Sequence, residues 1–170
     1  MTQTVRVIVD DTVIDLGNIF QIVRPMWGVD IYQGEQIYKQ GLAGFNENQQ
    51  FVFAMQWYVT EVNNGGHRQF FSNSTGIIWK EAMKGFEKTR LTENLDILRA
   101  ATRALGGDPS LDRTERQRQL EDYDVDFKQL DKRFYELEKK MALKDKILIF
   151  VKENRSDFYF DRFVIEPDSD

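Results

Sequence analysis

The chain of 170 residues has no cysteine, which excludes disulfides, thiolate metal sites and cysteine nucleophiles. Its only histidine is His67, so no imidazole pair can hold a transition metal. No apolar run approaches the roughly 20 residues of a membrane span. The amino terminus also lacks the basic-then-apolar order of a secretory signal. There is no G-x-S-x-G elbow and no phosphate-binding glycine loop. Asp122, Asp124 and Asp126 alternate, but neither the glycine nor the later bidentate acid of a calcium loop follows. Carboxylates are plentiful, yet without an apolar cleft to raise one pKa they form a solvated surface. The expectation is a cytoplasmic protein that is not an enzyme and has no metal, no cofactor and no membrane contact.

Charge is modest and unevenly spread. The formal net charge is −5, from 28 acids and 23 bases. Residues 1–66 hold seven acids and three bases, residues 67–106 four acids and seven bases, and residues 107–170 seventeen acids and thirteen bases. One reading is ordinary solubility. The other is an acidic surface built from both ends of the chain, because exposed charges act together over a Debye length of about 8–10 Å. Lys80, Lys84, Lys88, Arg90, Arg99 and Arg103 make a stripe that could track phosphates. Glu81, Glu87, Glu93 and Asp96 interrupt it, so no direct contact with nucleic acid is expected.

Apolar content of 41% with 13 Phe, 6 Tyr and 3 Trp supplies a core, and the length suits one domain over residues 1–170. TVRVIV at residues 4–9, Asp10-Asp11 and Thr12–Leu16 read as a short N-terminal β-hairpin or as an extended arm. Asn18–Trp27 has helical spacing, and Pro25 either kinks that segment or opens its continuation. Residues 33–45 predict a helix with Ile37 and Leu42 inward. Asn46 and Gln49 resemble a capping box. Thr92 is placed to cap a helix through Leu105, and residues 106–110, GGDPS, make the clearest break. Asp112 and Glu115 offer a second capping box. Leu120, Tyr123, Phe127, Leu130, Phe134, Leu137 and Met141 alternate steps of three and four, a heptad seam on a helix of about 28 residues. Such a seam meets either a neighbour in the same chain or a second copy, which makes Tyr123, Phe127, Leu130 and Phe134 the dimer-seam candidates. Residues 146–153 read equally as helix or strand, and residues 166–170 as a frayed tail. The fold class is all-α.

The richest stretch runs from Phe51 to Trp79, with seven aromatic side chains in 29 residues. Phe51, Met55, Tyr58 and Val62 recur at helical spacing, while Val52, Phe53 and Trp57 fill the rest of the circumference. A helix apolar nearly all round belongs in the middle of a fold. Gly65 and Gly66 then end it. The run AMQWYVTEVNNGGHRQFFSNSTG, with WKEAMKGFE downstream, resembles the central signature of a bacterial family of small helical DNA-mimic domains. The similarity extends upstream through TVRVIVDDTVIDL, over residues 4–90 at least.

The resemblance implies a mostly helical homodimer whose acidic faces imitate a duplex. Its partner would be a DNA-binding protein, a helix-turn-helix transcription factor acting as repressor. Carboxylates three or four residues apart on a helix have Cβ atoms about 5–6 Å apart, near the spacing of neighbouring phosphates. Glu115, Glu121, Asp122, Asp124 and Asp126 form one candidate group, and Asp10, Asp11, Asp15, Asp30, Glu35 and Glu47 a second. Arg113, Arg116, Arg118, Lys128, Lys132 and Arg133 interleave with the first. The alternative is a general protein-interaction module of the same fold, without DNA mimicry, that uses an apolar or amide-lined groove near Asn63, Asn64, Gln69 and Asn73.

Overall fold

A computed structural model describes residues 2–167. Its centre is a long helix, α4 (Glu47–Ser72), started by the capping box expected at Asn46. The Gln49 N–H donates to Asn46 Oδ1 at 2.9 Å, and the Asn46 N–H donates to Gln49 Oε1 at 3.1 Å. Between Phe51 and Val62, Val52, Phe53, Ala54, Met55, Tyr58 and Val59 are also buried, so the helix is enclosed on all sides. Helical geometry fails at Gly65 (φ −156°) and Gly66 (φ +71°). The chain there folds back. A straight helix would separate residues 61 and 73 by about 18 Å, yet the Asn73 side chain donates to Glu61 Oε2 at 3.0 Å.

Eight further helices among the described residues surround α4: α1 (Asp11–Leu16), α2 (Ile19–Val23), α3 (Glu35–Leu42), α5 (Trp79–Lys88), α6 (Thr92–Ala104), α7 (Arg113–Asp122), α8 (Lys128–Lys140) and α9 (Leu143–Glu153). None of these helices is long and apolar enough to cross a membrane. The all-α class holds, with the β-structure confined to two strands, β1 (Thr2–Val9) and β2 (Phe160–Pro167). The pairing corrects the hairpin expectation. β1 pairs antiparallel with β2 from the far end of the chain, Val5 opposite Val164. Thr12–Leu16 is helical instead, because Asp10 Oδ1 accepts the Val13 N–H and nucleates α1. Glu166 lies in β2 and is buried against Arg24, which corrects the frayed-tail expectation there. Asp168, Ser169 and Asp170 lie outside the described residues.

Other boundaries shift for local reasons. Pro25 sits in the first turn of a 3₁₀ segment, Arg24–Met26, that continues α2. In α3 it is Tyr38 and Leu42 that point inward, while Ile37 is exposed. Thr92 begins α6 without a side-chain cap. Asp112 caps α7 by accepting the Glu115 N–H. Residues 143–153 resolve as helix α9.

The largest correction concerns the heptad seam. The single helix of about 28 residues is two helices, interrupted between α7 and α8 with Asp124 in a left-handed conformation (φ +44°). Burial decides it. Leu120, Phe127, Phe134 and Leu137 keep one heptad face in the hydrophobic core, but Val125, about 140° off that face on a straight helix, is buried there as well. Phe127 stacks on Phe71 with ring centroids 5.9 Å apart, and Phe134 meets Tyr58 edge-on at 5.7 Å. The seam therefore meets its own chain. Phe127 and Phe134 have no surface left for a second copy, whereas Tyr123 is 57% exposed.

His67 braces the fold-back. Asp131 Oδ1 on α8 accepts from the His67 backbone N–H at 2.9 Å and stands 2.5 Å from Nδ1. A carboxylate only accepts, so Nδ1 carries a proton there, and Nε2 is hydrogen-bonded to the Tyr58 hydroxyl at 2.8 Å. Burial works against the Asp131 charge, but the bonds from His67 outweigh it and hold the carboxyl below its ordinary value. Burial, with the Asp131 and Glu138 charges, pushes the Tyr58 hydroxyl well above its own. The histidine is thus a buried strut linking both arms of α4 to α8.

Two outcomes test this brace. A Cβ added at Gly66 would lie 2.5 Å from Asp131 Oδ2 at a backbone angle that L-residues disfavour. We expect Gly66→Ala to cost at least about 2 kcal/mol by urea unfolding. The folded Asp131 pKa lies below an unfolded value of about 3.9. Its contribution is therefore complete above that value and disappears as pH falls through the folded pKa. Asp131→Asn should be less stable than wild type at neutral pH, with the gap closing in acid. A gap independent of pH would show that the carboxylate charge contributes nothing.

Candidate functional site

The amide-rich signature turns inward. Glu61 is buried, and its carboxylate accepts from Gln69 Nε2 at 2.8 Å, Asn73 Nδ2 at 3.0 Å and Thr75 Oγ1 at 3.0 Å. Asn63 donates to Glu138 Oε2 at 3.1 Å, and the Tyr135 hydroxyl donates to the Val62 carbonyl at 2.8 Å. Three of the four side chains expected to line an amide groove are thus bonded within the chain, and only Asn64 stands exposed without such a bond among the described residues. Their chemistry holds the fold-back of α4 rather than facing a partner.

Arg116 is the second inward surprise. It is wholly buried and caps the end of α4. Nε donates to the Phe71 carbonyl, Nη2 to Asn73 O and Nη1 to Ser110 O, each at 2.7 Å. Burial, with the nearby Arg113 charge, pulls the guanidinium pKa down to about 10, so it stays protonated at neutral pH. Gly76 makes the room, since a Cβ there would fall 2.5 Å from Arg116 Nε. Arg113 and Gln117 both donate to the Ser72 carbonyl. A base that interleaves with acids in sequence is thereby withdrawn from the surface.

The acids separate into two groups. Asp10 caps α1, Asp11 opens it and Asp15 lies in its last turn, beside the turn at residues 155–159. Arg155 donates to both Asp11 and Asp15. The Tyr159 hydroxyl also donates to Asp11 and, with Arg155, holds its carboxyl below the ordinary value. Glu47 is exposed next to that turn, because Asn46 and Asn48 both bond to Asp157. This group carries its own counter-charge.

The other group follows α7. The Glu121, Asp122, Asp124 and Asp126 side chains are all exposed and make no ion pair among the described residues. The turn that carries them is pinned. Val125 and Phe127 are buried beneath it, and Arg68 Nη2 donates to the Val125 carbonyl at 2.7 Å. Asp126 Oδ1 accepts the Lys128 N–H, and Tyr123 lies against Gly106, whose added Cβ would meet its hydroxyl at 2.6 Å. Glu115, two turns before Asp122 on α7, pairs with Arg118.

Asp30 and Glu35 flank the segment Ile31–Gly34, which shares a cleft of about 380 Å³ with Asp112 and Arg113 at the start of α7. Asp30 is held ionised by the Tyr32 N–H first, against burial, with help from Gln33. Glu35 pairs with Lys39. Asp112 was missed as a member of this edge because its capping role accounts for it. Lys128, Lys132 and Arg133 remain exposed on α8. No group of three or more His, Asp or Glu among the described residues could hold a metal ion.

No curated protein and no solved structure matches the chain. A family model described as DMP19-like protein matches residues 43–154, which leaves the expected upstream similarity over residues 4–42 outside the match and carries it well past residue 90. That segment holds the folded-back α4, the buried Arg116 and the Glu121–Asp126 turn, and it is well over half of the sequence; the chain belongs to the DMP19-like protein family, a family of DNA mimics.

Proposed function

We propose that the protein is a DNA mimic that occupies the DNA-binding surface of a transcription factor, a helix-turn-helix repressor, and so relieves repression. In this reading it is a non-catalytic, cytoplasmic homodimer. The observation that carries it is the end of α7 and the turn that follows, where four carboxylates within six residues, without an ion pair among the described residues, stand on a pinned base. DNA-binding surfaces gain affinity by placing Lys and Arg against closely spaced phosphates. A fixed carboxylate array offers them the same charges without the entropy of ordering a flexible tail. Withdrawal of Arg116 into the core supports the reading, since it keeps one positive charge off that edge. The pairing of Asp11 and Asp15 with Arg155 makes the α1 group the weaker contributor. The homodimer draws on a surface other than Phe127 and Phe134, which are spent inside the chain.

The interaction-module alternative has less support, because Gln69, Asn73 and Asn63, three of the four side chains placed at its groove, are engaged internally.

The test is a partner captured from bacterial lysate and then challenged with labelled operator DNA. We expect competition, and affinity at least about tenfold weaker at high than at low ionic strength. Asp122→Lys with Asp126→Lys should abolish the complex. A melting scan separates out the small cost of losing the Asp126 bond to Lys128. Equal affinity at both salt concentrations, or an unaffected double variant, would contradict mimicry.

A further inference from the structure

An apolar cavity of about 480 Å³ lies between α2, α4 and the segment that joins α2 to α3. Five aromatic rings wall it: Phe20 on α2, Trp27 and Tyr32 on the joining segment, and Phe53 and Trp57 on α4. These walls are braced. Arg24 lies over the Trp27 ring at 6.0 Å and is itself held by both Glu166 oxygens, at 2.8 and 3.1 Å. Asp30 accepts the Tyr32 and Gln33 N–H groups, which fixes the turn that carries Tyr32, 80% exposed. Phe53 is buried in the core and meets Trp57 edge-to-face, 6.4 Å between centroids.

The open polar side-chain groups of this lining are chiefly donors. Trp27 Nε1, Trp57 Nε1 and the Tyr32 hydroxyl have no hydrogen-bond partner among the described residues. The third indole differs, since Trp79 Nε1 donates to the Pro109 carbonyl at 3.0 Å. Trp57 is half-buried, yet its Nε1 is not enclosed. Gln56 adds no open polar group, because Nε2 donates to Thr60 Oγ1 at 3.1 Å and Oε1 is enclosed by the fold. An indole N–H donates and never accepts. No lining side chain is charged at neutral pH, and Glu166 neutralises the neighbouring Arg24. A bound anion would therefore lose hydration without gaining a counter-charge. A cation would be drawn to the rings but would leave both N–H groups without an acceptor. A neutral molecule with an accepting oxygen satisfies the whole lining. Small-molecule sites have this character: mostly apolar walls, with a few polar groups that fix orientation.

We propose that this cavity binds an uncharged, largely apolar molecule whose carbonyl oxygen accepts from the indole N–H groups of Trp27 and Trp57. The rings supply apolar contact, the absence of charge in the lining selects neutrality, and the two donors select an acceptor. Acetophenone is a simple molecule with these properties. The site uses none of the acids of the carboxylate turn, so it stands or falls apart from the DNA-mimic reading.

Titration of the full chain with acetophenone and with isopropenylbenzene, which keeps the ring but replaces C=O by C=CH₂, tests it by calorimetry and by NMR of the tryptophan side chains. Relative to isopropenylbenzene, acetophenone should move the Trp27 and Trp57 N–H protons downfield and leave that of Trp79 in place. Trp57→Phe should weaken acetophenone about fivefold more than it weakens isopropenylbenzene, the value of one neutral hydrogen bond. Benzoate and phenyltrimethylammonium share the ring but carry opposite charges, and both should bind more weakly than acetophenone. No binding of acetophenone up to its solubility limit, N–H protons that respond alike to the two neutral probes, or tighter binding of either charged probe would overturn the proposal. The wild-type comparison stands even where the variant fails to fold.

Discussion

The structure depends on one reversal of direction. At Gly65–Gly66 the central helix turns back on itself, and the turn survives because its two arms are joined by buried charge. Asp131 bonds to the backbone and ring of His67, and Tyr58 closes the chain from the other arm. Glu61 gathers Gln69, Asn73 and Thr75 on the opposite side. Removing a partner from such a network strands a buried charge or acceptor, which costs far more than an exposed pair contributes. The single histidine and the amide run, which look like chemistry awaiting a substrate, are the bolts of this joint.

The same joint organises the surface. Because the second arm of α4 lies back along the fold, its terminal carbonyls at Phe71, Ser72 and Asn73 need donors, and α7 supplies them from Arg113, Arg116 and Gln117. Holding α7 there directs its last turn outward. The buried Val125 and Phe127 accompany the break before α8, and Glu121, Asp122, Asp124 and Asp126 around them face solvent. The carboxylate turn is thus a by-product of core packing. That origin makes it rigid, which a mimic of a stiff polyanion requires.

Much of this was legible in the sequence, and the failures share a cause. The enclosed helix, its Asn46 cap and the break at Gly65–Gly66 follow from local spacing and backbone freedom. The heptad after Leu120 has the correct period for a long helix. Burying Val125, which lies off that seam, in the same core as Leu120 and Phe127 is a non-local requirement, and it overrides the period. The same holds for β1, whose partner lies more than 150 residues away. For the site, acid positions were readable but their counter-ions were not. Nothing near Asp11 in sequence announces Arg155, and nothing in the interleaved bases of α7 distinguishes the buried Arg116 from the exposed Arg118. Gly76 was the available signal for Arg116, as a small residue that makes space.

The central claim is that one pinned edge of the molecule, from Glu121 to Asp126 and along α7 towards Asp30, stands in for a phosphate backbone. The most direct measurement is backbone amide protection, by hydrogen exchange, in the complex with its captured DNA-binding partner. The account predicts that protection concentrates on residues 121–128, with a weaker patch at residues 30–35 and 112–115. Protection centred on α1 and the turn at residues 155–159, with the α7–α8 turn unchanged, would contradict it.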